Sequence, residues 1–240
     1  MLYVVGIGAG DREGMTISAE NALKSSDIII GYNKYVELVS VFFPEKQYIS
    51  NGMKQEKERV EAALKEAENK TVSLICSGDP ELYGMAGLAY EMSAGYPDTE
   101  IKVIAGVTAA LSGGALLGSP LTHDFAVISL SDLLTPMEKI IKRLECAAMA
   151  DLIIALYNPS SKNRPDHLKK ACEIVLRYRS ENTVCGYVKN IGRQGEEYRI
   201  MTLSEMKDEH VDMFTTVFIG NSETKVINNK MVTPRGYRNV

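Results

Sequence analysis

Residues 71–85, TVSLICSGDPELYGM, constrain the fold more than any other stretch of the chain. The run at 72–76 is apolar, partly β-branched and of the length of a buried strand. It breaks at Ser77-Gly78-Asp79-Pro80, after which Leu82, Met85, Ala86 and Ala89 follow at helical spacing. A strand passing through such a turn into a helix places the turn at the strand's carboxyl end, where open α/β sheets bind ligands. Gly, Asp and Pro are also ordinary turn residues, so on this stretch alone a plain strand–helix connection is the simpler reading.

The rest of the chain decides between the two. Its 240 residues, 45% hydrophobic, supply a sizeable core for one large domain or two small ones. A net charge of −4 argues against general attraction to nucleic acid or an anionic membrane, so any basic site must be local. No apolar run approaches a membrane span, and the first residues lack the charged-then-apolar pattern of a signal peptide. Cys76, Cys146, Cys172 and Cys185 are widely spaced and form no CxxC pair. The expectation is a reduced, cytoplasmic protein with no structural zinc or cysteine-bound cluster.

Strand and helix alternate on both sides of the opening stretch. Residues 2–7, LYVVGI, read as a strand running into Gly8-Ala9-Gly10-Asp11, with Thr16 as the N-cap of a helix over 17–24. These glycines do not make a dinucleotide fold. The Rossmann fingerprint needs glycine where Asp11 stands and an acidic residue ending the next strand, which here ends in Gly31-Tyr32. They provide a turn that a ligand or another loop can approach closely. Residues 54–69 form an amphipathic helix, with Val60, Ala63, Leu64 and Ala67 on one face and solvated Glu and Lys on the other. A strand at 101–104 leads into Gly106-Val107-Thr108-Ala109-Ala110. The uncharged helix that follows, AALSGGALLG, is expected to be buried and to let another backbone come close. The first half thus predicts a parallel sheet with helices on both faces.

The texture changes near Gly118-Ser119-Pro120, which places a domain boundary between 1–117 and 118–240. Strands are expected over 125–130, 151–157, 183–188, 197–203 and 214–219, the last before Gly220-Asn221-Ser222. Thr135 reads as a helix N-cap, with Pro136 at the first helical position and Glu138 three residues after the cap. A second helix is expected over 164–179, with Leu168, Cys172 and Val175 facing inward.

Four strand ends therefore carry small or polar turns: GAGD at 8–11, SGDP at 77–80, GVTAA at 106–110 and NPSS at 158–161. Together they describe a nucleoside-sized site between two α/β domains. The absence of GxxxxGK[ST] argues against phosphoryl transfer, and the absence of GxSxG against an α/β-hydrolase. His123, His167 and His210 lack HExxH spacing, and only His123 sits beside an expected active-site strand.

VGIGAGD, SGDPELYGM, GVTAA and YNPSS together resemble the tetrapyrrole methylase family, the S-adenosylmethionine enzymes of cobalamin and sirohaem synthesis, over essentially the whole chain. Two stretches are more specific. LTHDFAVISLSDLLTP (121–136) and TPRGYR (233–238) resemble the branch that methylates C-17 of precorrin-3B, whose anaerobic members act on cobalt-factor III. The family usually has proline where Ala9 stands, which loosens the match at the first turn. The branch often has tryptophan at Met137, a change in packing.

The resemblance implies two α/β domains with S-adenosylmethionine folded in the cleft between them, S-adenosylhomocysteine as product, and a homodimer. Carried over by position, it makes Gly78, Asp79, Pro80, Leu82, Thr108, Ala109, Asn158, Gly186 and Thr216 cofactor-binding, and turns Gly8, Ala9, Gly10 and Asp11 toward the tetrapyrrole. The substrate is fringed with carboxylates, so Arg164, Arg193 and Arg235 are candidate contacts, with Arg238 and Lys162 behind them. Methyl transfer from a sulfonium to carbon is an in-line displacement that a dry, orienting site promotes without a perturbed acid or base. The branch also contracts the macrocycle, which requires proton movement at an oxygen on the neighbouring bridge carbon. Asp132 is the first candidate for that step, with Ser131 and His123 behind it; as a bare residue Asp132 reads equally as a turn or cap. No resident metal is implied, and any cobalt arrives with the substrate.

Two other readings differ in class. One is a methylase acting at another ring carbon, on diphthamide or on ribosomal RNA; the stretch 121–136 and the tail argue against it, and the RNA version would want a basic surface. The other is a silent S-adenosylmethionine binder, which the intact SGDP, GVTAA and SLSD turns argue against.

Overall fold

The computed structural model describes residues 1–238, and the chain divides into two compact units, Met1–Thr108 and Ala109–Val240. In the first unit β1 (Leu2–Gly6), α1 (Ile17–Ser25), β2 (Ile28–Tyr32), α2 (Asn33–Ser40), β3 (Gln47–Asn51), α3 (Glu56–Ala67), β4 (Val72–Cys76), α4 (Ala86–Met92) and β5 (Ile101–Ile104) alternate. The strands form one parallel sheet in the order β3-β2-β4-β1-β5. Every residue of β4 is buried, as the uninterrupted apolar run of a central parallel strand requires. Neighbouring residues of each strand feed opposite layers. Leu2, Val4 and Leu74 pack with Val60, Ala63 and Leu64 of α3 and Ala86 of α4, whereas Val5 and Ile75 pack with Ala19 and Leu23 of α1 and Val39 of α2. Each fully buried leucine or valine among these contributes about 1.5–3 kcal/mol.

The second unit runs α5 (Ala109–Leu117), β6 (Gly118–Ser119), β7 (Phe125–Ser129), α6 (Met137–Met149), β8 (Ile153–Tyr157), α7 (His167–Val175), β9 (Val184–Lys189), β10 (Glu197–Thr202), α8 (Leu203–Met206), β11 (Thr215–Ile219), β12 (Lys225–Ile227) and β13 (Lys230–Val232). Its main sheet is ordered β10-β9-β11-β8-β7, parallel at β7–β8 and antiparallel elsewhere. Ile140, Leu144, Leu168 and Cys172 from α6 and α7 cover one face of it. A hairpin of β12 and β13 pairs with β6 as a small separate sheet.

Helix α5 packs on β9, β10 and β11. This contact puts it in the second unit, upstream of the change in texture at 118. It buries one face only, through Ala110, Gly113, Gly114 and Leu117, and Leu111 remains 53% exposed, so the uncharged helix is half-covered rather than enclosed. Helix α6 also starts later than the Thr135 cap implies. Pro136 is its N-cap residue, extended at ψ 140°, and no side chain caps it. Helix α7 is shorter than 164–179, because residues 161–164 form a tight turn closed by reciprocal Ser161–Arg164 backbone hydrogen bonds.

Candidate active site

In the first unit β1 lies between β4 and β5, so the three turns at their carboxyl ends emerge side by side. The turns grip one another. Gly8 N donates to Gly78 O at 3.2 Å and Gly78 N to Gly8 O at 2.7 Å, with both glycines at positive φ (+73° and +68°). A Cβ on Gly6 would sit 2.6 Å from Gly78 O and 2.7 Å from Gly106 N, and one on Gly106 would sit 2.1 Å from Gly78 O. These glycines therefore serve turn-to-turn packing first.

Asp79 completes the lock. One carboxylate oxygen accepts Gly106 N at 3.0 Å, and the other accepts Glu81 N at 2.8 Å and Leu82 N at 3.4 Å. Pro80 O receives Ala86 N at 3.0 Å, which starts α4 there and leaves Leu82 in the turn before the helix. Thr16 caps α1 by accepting Ala19 N at 3.1 Å and donates its hydroxyl hydrogen to Ala105 O at 3.2 Å. Asp11 turns back to accept Gly14 N at 2.7 Å. Gly8, Gly10, Gly78 and Pro80 are buried, and Ala9 and Thr108 are half-buried. Burial pushes the Cys76 thiol at the end of β4 up to about 11, so it is a neutral thiol rather than a nucleophile.

In the second unit the parallel pair β7 and β8 aligns Ser129 with Tyr157, and their carboxyl ends carry the SLSD and NPSS turns. Ser129 Oγ accepts Asn158 Nδ2 at 3.0 Å and Ser131 N at 3.2 Å. Arg164 Nη1 donates to Ser131 Oγ at 2.6 Å and lies 3.6 Å from Asp132 Oδ1, while its Nε donates to Ser161 Oγ at 3.1 Å. His167 Nδ1 is 2.8 Å from Leu130 O. Asn158 holds the left-handed conformation at φ 52°, tolerable because Asn hydrogen-bonds locally. Tyr157 OH accepts Ala110 N at 2.7 Å, satisfying an amide in the first turn of α5.

The structure thus brings Ser131, Asp132, Asn158 and Arg164 together, and commits Arg164 to its own chain. His123 does not join them. It precedes β7 at the amino end whereas Asp132 follows it, and the five residues of that strand span about 16 Å at ~3.3 Å per residue. Gly186 lies within β9, where a Cβ would meet Leu117 at 2.8 Å; it admits α5 against the sheet. Thr216 is buried in β11 opposite Val188. Arg193 sits in the turn after β9, its amide donating to Asn190 O at 2.9 Å. Arg235 reaches Thr122 O at 3.0 Å and ties the tail to the turn before β7. Lys162 borders a cavity of about 670 Å³ lined also by Lys169, Asp208 and Phe214.

Ser129 and Tyr157 stand out only in the structure, because a lone hydroxyl carries no spacing signal. Arg59, in a helix whose charges read as solvated, is another residue that only the structure reveals. It is 4% exposed and donates to Asn51 Oδ1 at 2.7 Å and Gly52 O at 2.8 Å over the Tyr32 ring, with no carboxylate in ion-pair range among the described residues. Among those residues, no group of three or more His, Cys, Asp or Glu is placed to hold a metal ion, and no helix is long and apolar enough to cross a membrane.

A parallel α/β unit followed by a mixed-sheet α/β unit, each with small-residue turns at adjoining strand ends, marks a defined class of methylase. The family model of the tetrapyrrole (corrin/porphyrin) methylases matches residues 1–207, and the chain belongs to that family; it is a methyltransferase. It is 47% identical over 246 residues to the probable cobalt-factor III C(17)-methyltransferase of Methanocaldococcus jannaschii, covering 99% of this chain and 98% of that protein. It is 35% identical to a precorrin-3B C(17)-methyltransferase from a Sinorhizobium species, covering 98% and 96% respectively. Among solved structures, the crystal structure of the methyltransferase CobJ aligns with a TM-score of 0.88 at 32% identity, over 97% of this chain and 99% of that one. The family and fold expected from the motifs are those found.

Proposed function

We propose that this protein transfers the methyl group of S-adenosylmethionine to C-17 of a cobalt-factor III or precorrin-3B macrocycle, with ring contraction, in corrin synthesis. The observation that carries the reading is the Ser131–Asp132 turn held by Arg164 at the carboxyl end of β7, within the stretch that resembles the C-17 branch. Higher identity to the cobalt-factor III relative (47%) than to the precorrin-3B relative (35%) favours the cobalt-bearing ring, with the cobalt part of the substrate.

The strand-end turns suit S-adenosylmethionine chemically. Gly78, Thr108 and Ala109 carry small side chains or none, and Asp79 is turned onto the amides of Gly106, Glu81 and Leu82. By the family resemblance, Gly78, Asp79, Pro80, Leu82, Thr108, Ala109, Asn158, Gly186 and Thr216 are the residues assigned to it. When bound, it supplies a methyl group activated by its sulfonium. The chain's part is to hold the acceptor carbon in line, exclude water, and place Asp132 to move a proton at the oxygen of the neighbouring bridge carbon. Ser131 positions the substrate. The working form is a cytoplasmic homodimer, which sedimentation would test.

The test is anaerobic incubation with S-adenosylmethionine and either cobalt-factor III or metal-free precorrin-3B, followed by mass spectrometry and absorbance. One added methyl with the spectrum of a contracted ring supports the assignment. Cofactor binding with neither macrocycle methylated sinks it.

A further inference from the structure

We infer that Arg59 is a positioning residue for the cofactor turn: from α3 it braces the segment 80–86, which carries the SGDP turn into α4. This role rests on the assignment of that turn to S-adenosylmethionine. Arg59 is 4% exposed, and no carboxylate lies in ion-pair range of it among the described residues. Glu58, Glu61 and Lys65 of the same helix are exposed, as charges on an amphipathic helix should be. A buried guanidinium without a counter-charge loses its hydration, so for the fold alone an apolar residue of similar shape would serve as well or better.

Each nitrogen of the guanidinium has its own partner. Nε donates to Asn51 Oδ1 at 2.7 Å and Nη2 to Gly52 O at 2.8 Å, where β3 ends. The group lies over the ring of Tyr32, the last residue of β2, with Cζ 5.9 Å from the centroid. Nη1 donates to Met85 Sδ at 3.5 Å. In the order β3-β2-β4-β1-β5 the site turns follow β4, β1 and β5. Arg59 thus ties the ends of the two strands that carry no site turn to the residue that closes the segment after SGDP.

That segment needs a hold. Tyr83 is left-handed at φ 57°, a rare conformation for a bulky side chain, and a Cβ on Gly84 would sit 2.4 Å from Pro80 O. Strained backbone of this kind persists only where its surroundings over-determine it. Asp79 fixes the front through the Glu81 and Leu82 amides. Met85, 7% exposed and the N-cap residue of α4, is the back, and Arg59 grips it by its side chain. A planar fork reaches these partners together, which a lysine cannot do. Without it the segment samples other arrangements, and a ligand that needs one of them binds more weakly in proportion to the population lost.

The test compares wild type with Arg59→Met, Arg59→Lys, Asn51→Ala and, as a control, Leu64→Ala, which opens the core beneath the same helix without touching the brace. S-adenosylmethionine affinity is read by calorimetry, the Glu81 and Leu82 amides by hydrogen exchange in the cofactor-free chain, and kcat at saturating cofactor. Arg59→Met and Arg59→Lys are expected to weaken cofactor binding about tenfold and Asn51→Ala about threefold, with faster exchange at both amides and kcat within about twofold of wild type. Leu64→Ala should melt earlier than any of them, yet keep wild-type affinity and exchange. Affinity within about twofold of wild type in Arg59→Met overturns the brace, and so does an equal loss in Leu64→Ala, because the guanidinium then serves the fold alone. If Arg59→Met gives no cooperative melt, Asn51→Ala decides. Asn51 is half-buried on β3, which does not adjoin β4, so wild-type affinity and exchange in that variant overturn the brace as well. Failure of wild type itself to bind S-adenosylmethionine is the separate result that removes the assignment beneath it.

Discussion

Arg164 bridges to Asp132, with Nη1 3.6 Å from Oδ1, and the same nitrogen donates to the Ser131 hydroxyl at 2.6 Å. Its Nε meanwhile reaches Ser161 Oγ at 3.1 Å, so one guanidinium ties the turn after β7 to the turn after β8. A lysine offers a point charge and cannot reproduce that fork. Arg164→Lys is therefore expected to lower kcat by about tenfold to a hundredfold through misplacement of the turn. The pair is partly solvated and worth at most about 1 kcal/mol, so the melting temperature should fall by only a few degrees. Steady-state kinetics beside thermal melts decide the matter; unchanged kcat would show that the bridge serves stability alone.

Asp132→Asn keeps the shape of the turn and removes the proton-accepting carboxylate. If Asp132 serves contraction rather than methyl transfer, the variant still binds S-adenosylmethionine and the macrocycle and still adds the methyl group. The contracted product then falls by ~10²-fold or more relative to the methylated, uncontracted ring. Mass spectrometry reads the added methyl and absorbance reads the ring. Equal loss of both would assign Asp132 to binding or folding.

Asp79 satisfies three backbone amides, of Gly106, Glu81 and Leu82. Asp79→Ala strips their acceptor, and a polar group left without a partner in a half-buried turn is destabilising by about 1–3 kcal/mol. The first unit is expected to melt earlier, and the Gly106 amide to exchange with deuterium faster than those of β4. Unaltered exchange at Gly106 would mean that water replaces the carboxylate without loss.

The strands and the methylase turns were legible because each rests on a local signal. The run 72–76 and the strand 101–104 have the bounds read from the sequence, since a short apolar or β-branched run with a glycine turn behind it marks where each strand stops. β3 was not legible: Gln47–Asn51 is an edge strand, largely exposed and without apolar alternation. The β12–β13 hairpin was missed although Asn228 and Asn229 turn it at positive φ, because Lys225–Ile227 is exposed and carries no core face. At the site, the motifs gave positions but not partners. Asp79 and Gly78 were read as facing a ligand, yet their first contacts are with neighbouring turns, as a glycine that accommodates a loop and one that accommodates a cofactor look alike in sequence. Arg164 was read as meeting a substrate carboxylate, and its nearest carboxylate proved to be Asp132.

The cysteines give a prediction with a definite sign. Burial pushes Cys76 up to about 11 and Cys172 to about 12 from 9.0, and raises Cys185 as well. The folded chain thus keeps these thiol protons at pH values where the unfolded chain releases them. The stability linked to them is complete below pH 9.0 and is lost as pH rises through 11 and 12. The urea midpoint should fall across that window, and Cys76→Ala should flatten the fall. Cys146 is exposed whereas the other three are buried, so at about pH 8 a thiol reagent should label Cys146 rapidly and the others only on unfolding. Rapid native labelling of Cys76 would show that the end of β4 opens to solvent, which the interlocked turns of Gly8, Gly78 and Gly106 are built to prevent.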